Sequence, residues 1–257
     1  LYFVLGVSSV LVQSVSIREF LNVFYGNELV LGAIFGIWLL WVAIGAYAGA
    51  RIAPKLKRLF PVFISLVMAG TAFPFIQVYL IRIARDILSV PSGQYIPFLQ
   101  MVLFAGAVLF PFCFVIGITF PIGCRIYAGE ERDAAALRIS KIYVAESTGF
   151  LAGGILFTFY FALHYQAYLV LAVMFALVIA AVCIVLVKGA RFFNKFAGLI
   201  FIAGGILISF YLFTVSGSVD RHTILKRWRS LNKDAELIET ADSKYQNLAL
   251  GRQLNQY

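Results

Sequence analysis

Charge is what this chain of 257 residues has little of: Asp, Glu, Lys and Arg make up 13% of it, about half the share of an average soluble domain. With 62% of residues hydrophobic and a mean hydropathy of +0.92, too few polar groups remain to cover a water-facing surface, which excludes an ordinary soluble globule. Period-two alternation is missing from the apolar stretches as well, which excludes a membrane β-barrel. The apolar residues come instead in blocks of about 18 or more, the length a helix needs to cross a hydrocarbon layer about 30 Å thick while pairing its own backbone polar groups.

Cysteine is sparse. Cys113, Cys124 and Cys183 lie in or beside apolar blocks with no short spacing between any two, so they read as small packing residues rather than metal ligands or disulfide partners. No phosphate loop, zinc spacing, serine elbow or nucleophile with a paired base occurs, and no catalytic residue is therefore singled out. The net charge is +9, yet most Lys and Arg stand beside hydrophobic blocks, where they orient helices. The expected partner is the lipid bilayer and not nucleic acid. The chain opens at Leu1 with no basic stretch ahead of its first apolar block; residues are expected to precede it, and the block is not read as a cleaved signal.

These features predict an all-α polytopic membrane helical bundle of about seven transmembrane helices, followed by the start of a small β-rich domain. The spans are expected at about 1–24, 28–50, 59–81, 96–123, 141–163, 167–187 and 197–215. Domain organisation follows: 1–215 transmembrane, 216–257 a linker helix and first strands. Within the latter, HTILKRWRSLNKD at 222–234 reads as a short basic amphipathic helix lying on the membrane surface. AELIETADSKYQNLALGRQLNQY at 235–257 reads as two strands around a polar turn at Arg252 to Asn255. Two strands alone are marginal, so they are expected to belong to a larger domain beyond Tyr257.

Orientation rests on the loops. Arg51, Lys55, Lys57 and Arg58, then Arg125, Arg132, Arg138 and Lys141, then Lys188, Arg191 and Lys195 lie on one side; Arg82 and Arg85 lie on the other. Eleven against two places the first set in the cytoplasm and the C-terminal segment outside. Arg221, Lys226, Arg227 and Arg229 run against that assignment, although long domains translocate largely regardless of charge.

Polar residues inside the spans are the candidate site residues. Ser14, Arg18 and Asn22 recur every fourth residue in the first span with Glu19 beside them, a stripe that faces either the bundle interior or a wet cavity. The structural alternative has Arg18 snorkelling to the outer interface while Glu19 accepts a hydrogen bond from a neighbouring helix. Glu146, in the fifth span, is expected near the cytoplasmic end, where a local partner such as Lys141 would need to sit on a compatible face, remote from Arg18 and Glu19. The polar groups are thus not expected to converge on one obvious midplane site, which counts against a transporter. Gly32 and Gly36, Gly45 and Gly49, and Gly149 and Gly153 have the small-xxx-small spacing of close helix packing, and a homodimer through these faces remains open. Pro74, Pro111 and Pro121 are expected to kink their helices.

Two stretches, IREFLNVFYGNELVLGAIFGIWLLWVAIGAYAGARI at 17–52 and IYVAESTGFLAGGILFTF at 142–159, resemble the membrane-embedded half of bacterial spermidine synthase-like proteins, the polyamine aminopropyltransferases with an N-terminal transmembrane domain. ETADSKYQNLALGRQLNQY at 239–257 is similar to the opening strands of the spermidine synthase domain. GAYAGARIAPKLKR at 45–58 is also similar to the loop after the second helix of major facilitator transporters, without its acidic residue.

The spermidine synthase resemblance implies a bacterial inner-membrane protein whose helices anchor or dock a C-terminal domain. It carries over one residue, Gln246 in SKYQN, to a glutamine beside the aminopropyl donor. The family's nucleotide strand, ribose-binding acid and catalytic aspartate would fall after Tyr257. The chain itself is therefore expected to hold no cofactor or metal, and decarboxylated S-adenosylmethionine would belong to the missing domain. An outer location would separate that domain from a cytoplasmic metabolite. A polyamine-like transporter, or a structural subunit of a membrane complex, is the competing expectation.

Overall fold

A computed structural model describes residues 1–25, 28–92, 94–128, 132–188, 195–232, 236–242 and 247–252. Among these, seven helices are long and apolar enough to cross a bilayer, consistent with an integral membrane protein. α1 (Tyr2–Phe24), α2 (Glu28–Ile52), α3 (Leu59–Arg82) and α5 (Phe98–Ala128) supply the first four, with the single-turn α4 (Ala84–Ile87) between the last two. The fifth is a composite rod in which α6 (Arg132–Leu156) passes through a π-helical turn (Phe157–Phe161) into α7 (Ala162–His164). α8 (Ala167–Lys188) and α9 (Lys195–Leu231) complete the set, and the strands β1 (Glu236–Asp242) and β2 (Asn247–Arg252) pair antiparallel after it.

α1 and α8 form the centre, with 61% and 56% of their spanning windows buried against 11% for α9. Leu11, Phe20, Leu171 and Met174 are fully enclosed there. Outward-facing Leu39, Leu103, Leu151, Leu207 and Phe210 stay exposed, an apolar periphery too extensive for contact with water.

Two parallel helix pairs organise the bundle. α1 runs beside α6 with Gly149 against the Phe3 backbone, Gly6 against the Glu146 carbonyl and Gly153 against Val7 and Val10. α2 runs beside α5 in the same way, Gly45 facing Phe114 and Gly117 and Gly49 facing Ile118 and Pro121; the Trp41 indole N–H donates to the Gly106 carbonyl at 2.9 Å across the same seam. Any side chain at Gly45 or Gly149 would fall on a neighbouring backbone, so the helices approach this closely only because both lack Cβ. Gly32 and Gly36 differ, since nothing lies within 4 Å of a Cβ at either. Their spacing marks an open face of α2 and not a helix contact within this chain.

Two further expectations are revised. α9 does not stop near residue 215: it continues as one helix to Leu231, so 222–231 is the extension of the last span rather than a separate helix on the membrane surface. At 37 residues its length is about 55 Å, well beyond the hydrocarbon layer. Arg252 is a strand residue paired with Glu236 and not part of a turn; Asn255 lies outside the described residues. Pro74 lies inside α3, and Pro111 and Pro121 inside α5. β1 carries a bulge between Leu237 and Glu239, and Gly251 of β2 sits directly on the Trp228 ring of α9, which leaves no room for a side chain.

Replacing Gly149 by Val is expected to lower stability by about 1–3 kcal/mol, whereas Gly36→Val should change it by no more than about 0.5 kcal/mol, as read from denaturant unfolding in detergent. Equal effects would mean that the α1–α6 seam does not depend on the missing Cβ.

Candidate functional site

α1, α3, the α6–α7 rod and α9 all finish at one end of the bundle, here called the hairpin end, where α8 begins. The polar residues of five elements meet there. Arg82, on the last turn of α3, holds Glu19 of α1 in a two-pronged grip, Nη2 to Oε1 at 2.6 Å and Nε to Oε2 at 2.9 Å. Its Nη1 donates to Asp220 Oδ1 at 2.8 Å and to the Thr223 hydroxyl at 2.6 Å, both on α9. Arg227, one turn further along α9, reaches Glu19 Oε2 at 3.3 Å. The side chains are almost fully enclosed: Glu19 and Arg82 are 2% exposed and Asp220 is 0%. Two carboxylates and two guanidiniums balance, which is the condition for keeping charges out of water at this depth.

The same network closes the ends of two helices. The backbone N–H of Tyr168, in the first turn of α8, donates to Asp220 Oδ2 at 3.0 Å. A helix start leaves such donors without an internal acceptor and favours negative charge, so Asp220 caps α8 from another helix. Across the short link, Arg18 Nη1 donates to the Ala162 carbonyl at 3.2 Å, in the last turn of the rod, where carbonyls lack donors and positive charge is favoured. A charge of each sign thus secures each side of the 164–166 link. The Arg82 guanidinium also lies over the Tyr168 ring, 5.3 Å from its centroid, and the Tyr168 hydroxyl donates to the Phe75 carbonyl at 3.2 Å.

The expected site residues separate into groups. Glu19 accepts from two arginines, and Arg18, 9% exposed, turns inward to a helix end instead of snorkelling outward. Asn22 lines a small crevice between α1, α9 and the hairpin, together with Arg227, Trp228 and Leu237. Glu146 lies far from these, at the opposite end. It borders a cavity of about 40 Å³ together with Tyr2, Ser8, Thr71 and Thr119, enough for one or two waters. No ion pair joins it to Lys141 among the described residues, and the buried Tyr2 hydroxyl has no hydrogen-bond partner. Gly45, Gly49, Gly149 and Gly153 lie in the helix seams already described, and Gln246 lies outside the described residues.

The cluster at the hairpin end draws on residues outside the expected set, while Glu146 stands apart from Arg18 and Glu19. By sequence alone the partners that complete the site, Arg82, Asp220, Thr223, Arg227 and Tyr168, do not stand out, because Arg82 reads as a loop charge and Arg227 as part of a surface helix. One signal was available. A lone Glu, a lone Asp and isolated arginines sit at the same end of successive spans, and complementary ionisable groups at equal depth are expected to pair. Among the described residues no group of three or more His, Cys, Asp or Glu is placed to hold a metal.

Removing one member should be far worse than removing a pair. Glu19→Gln or Arg82→Gln is expected to cost about 3–5 kcal/mol in denaturant unfolding. Combining Glu19→Gln with Arg227→Gln should cost less than the sum of the two single changes; strict additivity would mean that the charges do not act as one unit. Compared with protein-family profiles, with curated proteins and with solved structures, the chain matches none.

Proposed function

We propose that this chain is the membrane domain of a spermidine synthase-like protein and that it serves as an anchor and docking platform for the segment that β1 and β2 begin. The observation that carries the reading is the attachment of α9. A terminal helix that only tethered a domain would need no polar contacts with the bundle, yet α9 is held by Asp220, Thr223 and Arg227 through bonds to Arg82, Glu19 and the start of α8. Its extension is therefore a stiff mount. The hairpin rests on it through Gly251 and Trp228, so motion of the bundle end would be passed to whatever follows.

In this reading the short basic loops are cytoplasmic and the hairpin end faces outward, since the loops at the opposite end carry eleven Lys and Arg against Arg82 and Arg85; the basic residues of the α9 extension, Arg221, Lys226, Arg227 and Arg229, run against it. The aminopropyltransferase activity, with decarboxylated S-adenosylmethionine as donor, belongs to the proposal and rests on the sequence resemblance. Purified full-length protein is expected to bind an S-adenosyl nucleotide in calorimetric titration and to transfer an aminopropyl group; failure of both removes the enzyme part. The platform part is read separately. Asp220→Ala should speed proteolytic cleavage within 232–252 while cleavage in the 53–58 loop stays unchanged, and identical digestion rates would rule out a rigid mount.

The second reading, a carrier of polyamine-like cations, is supported by Glu146. A carboxylate facing an apolar cavity with no cation paired to it among the described residues is the kind of group that a positively charged solute would satisfy. Spermidine flux into proteoliposomes, lost in Glu146→Gln, would favour this reading, and wild-type liposomes no leakier than empty ones would end it.

A further inference from the structure

A second polar feature lies at the hairpin end and takes no part in the ion-pair network. It is a recess of about 650 Å³ between the turn after α4 and the extension of α9. Its cationic lining is Arg85, Lys226 and Arg229, and its hydroxyls are Ser89, Ser92 and Ser230. Asp86 is the acidic residue on the wall. Three positive charges against one is an unusual balance for a depression this close to a membrane surface.

Arg85 is the singular member. Its side chain is buried, 1% exposed, and Nη2 donates to the carbonyls of Pro91 and Gln94, both at 2.8 Å. Among the described residues Nε and Nη1 are buried without a hydrogen-bond partner and no carboxylate pairs with the guanidinium. The contrast with Arg82, three residues earlier and saturated by two carboxylates, is sharp. A buried guanidinium with donors unused and no counter-charge is costly, and it marks a place where an anion would be bound more strongly than in water.

The backbone around Arg85 is built to hold this arrangement. α4 ends in a left-handed residue, Ser89, with φ of 53°. The Val90 N–H returns to the Arg85 carbonyl at 3.0 Å and the Ser89 N–H to the Asp86 carbonyl at 3.2 Å, the paired bonds of a Schellman stop. That position usually takes glycine. Here it carries a hydroxyl on the recess wall instead. On the opposite wall, the Lys226 ammonium is steadied by the Tyr79 hydroxyl at 3.1 Å, and the Ser92 hydroxyl donates to the Ser230 carbonyl at 3.4 Å, joining the two sides.

We propose that this recess binds a phosphate-bearing anion, held by Lys226 and Arg229 and drawn in by the uncompensated charge of Arg85 buried behind its wall. The source that its position favours is the headgroup of an anionic phospholipid. Ile83, Val90 and Pro91 give the recess an apolar flank, suited to the glycerol and first methylenes below a headgroup, and basic pockets beside membrane helices take up such lipids. Inorganic phosphate shares the recognising chemistry without the apolar part. The proposal is independent of the platform and carrier readings.

The test uses the purified full chain in detergent, stripped of lipid, and follows thermal unfolding with added phosphatidylglycerol, phosphatidylcholine or inorganic phosphate. Phosphatidylglycerol is expected to raise the midpoint more than phosphatidylcholine, with an apparent affinity weakened about tenfold in the double variant Lys226→Gln/Arg229→Gln. Neither residue supports the Arg85 turn, so the variant keeps the loop intact; Lys55→Gln/Lys57→Gln, at the far end of the bundle, should respond like wild type. Stabilisation by inorganic phosphate at least equal to that by phosphatidylglycerol, and lost in the same variant, would keep the anion site and replace the lipid source. No selective stabilisation by either anion, or the same stabilisation in the Lys226→Gln/Arg229→Gln variant as in wild type, would overturn the proposal.

Discussion

Charges that leave water inside a bundle must neutralise one another or draw in an ion, and at the hairpin end this requirement joins four helices at one arginine. Arg82 is flanked by Glu19 from α1 and Asp220 from α9, and Asp220 in turn holds the first turn of α8. A planar guanidinium presents its donors in a fixed fork, so accommodating both carboxylates sets the rotation and depth of α1, α3 and α9 together. Hydrophobic packing alone would leave these helices freer to slide, because in lipid one apolar face is nearly as good as another.

The glycine seams supply the complementary constraint. They draw α1 onto α6 and α2 onto α5 until backbones touch, which fixes separation where side-chain packing would leave slack. α1 takes part in both devices, with Gly6 in the seam at one end and Glu19 in the charge network at the other. The network and the seams together carry order from the middle of the bundle out to the extension of α9. That extension is what gives the β1–β2 hairpin a defined seat, and it also forms one wall of the cationic recess around Arg85. Two neighbouring arginines on the same turn thus have opposite situations, one saturated and one with donors to spare.

Much of the architecture could be read directly. Apolar blocks of bilayer length have one stable form in lipid, so the seven spans were placed within a few residues for α1, α2, α3 and α8. The α6–α7 rod begins earlier and α9 ends later than the sequence suggests, because flanking charge reads as a stop signal. In α9 the charges of 220–229 do not end the helix, since Asp220 and Arg227 point into the protein and find partners there. The small-xxx-small spacing occurs equally at Gly32 and Gly36, where it has no contact, and at Gly149 and Gly153, where it does; local spacing is the same in both, and only the neighbour differs.

Lipid exposure, helix number and the inventory of buried charges follow from composition and block length, which depend on each segment alone. Which carboxylate meets which guanidinium, which glycine pair is a seam, and why Arg85 retains unused donors while Arg82 has none depend on the relative rotation and depth of helices far apart along the chain. Glu19 and Asp220 are separated by some two hundred residues, and their joint hold on Arg82 exists only once the bundle has closed.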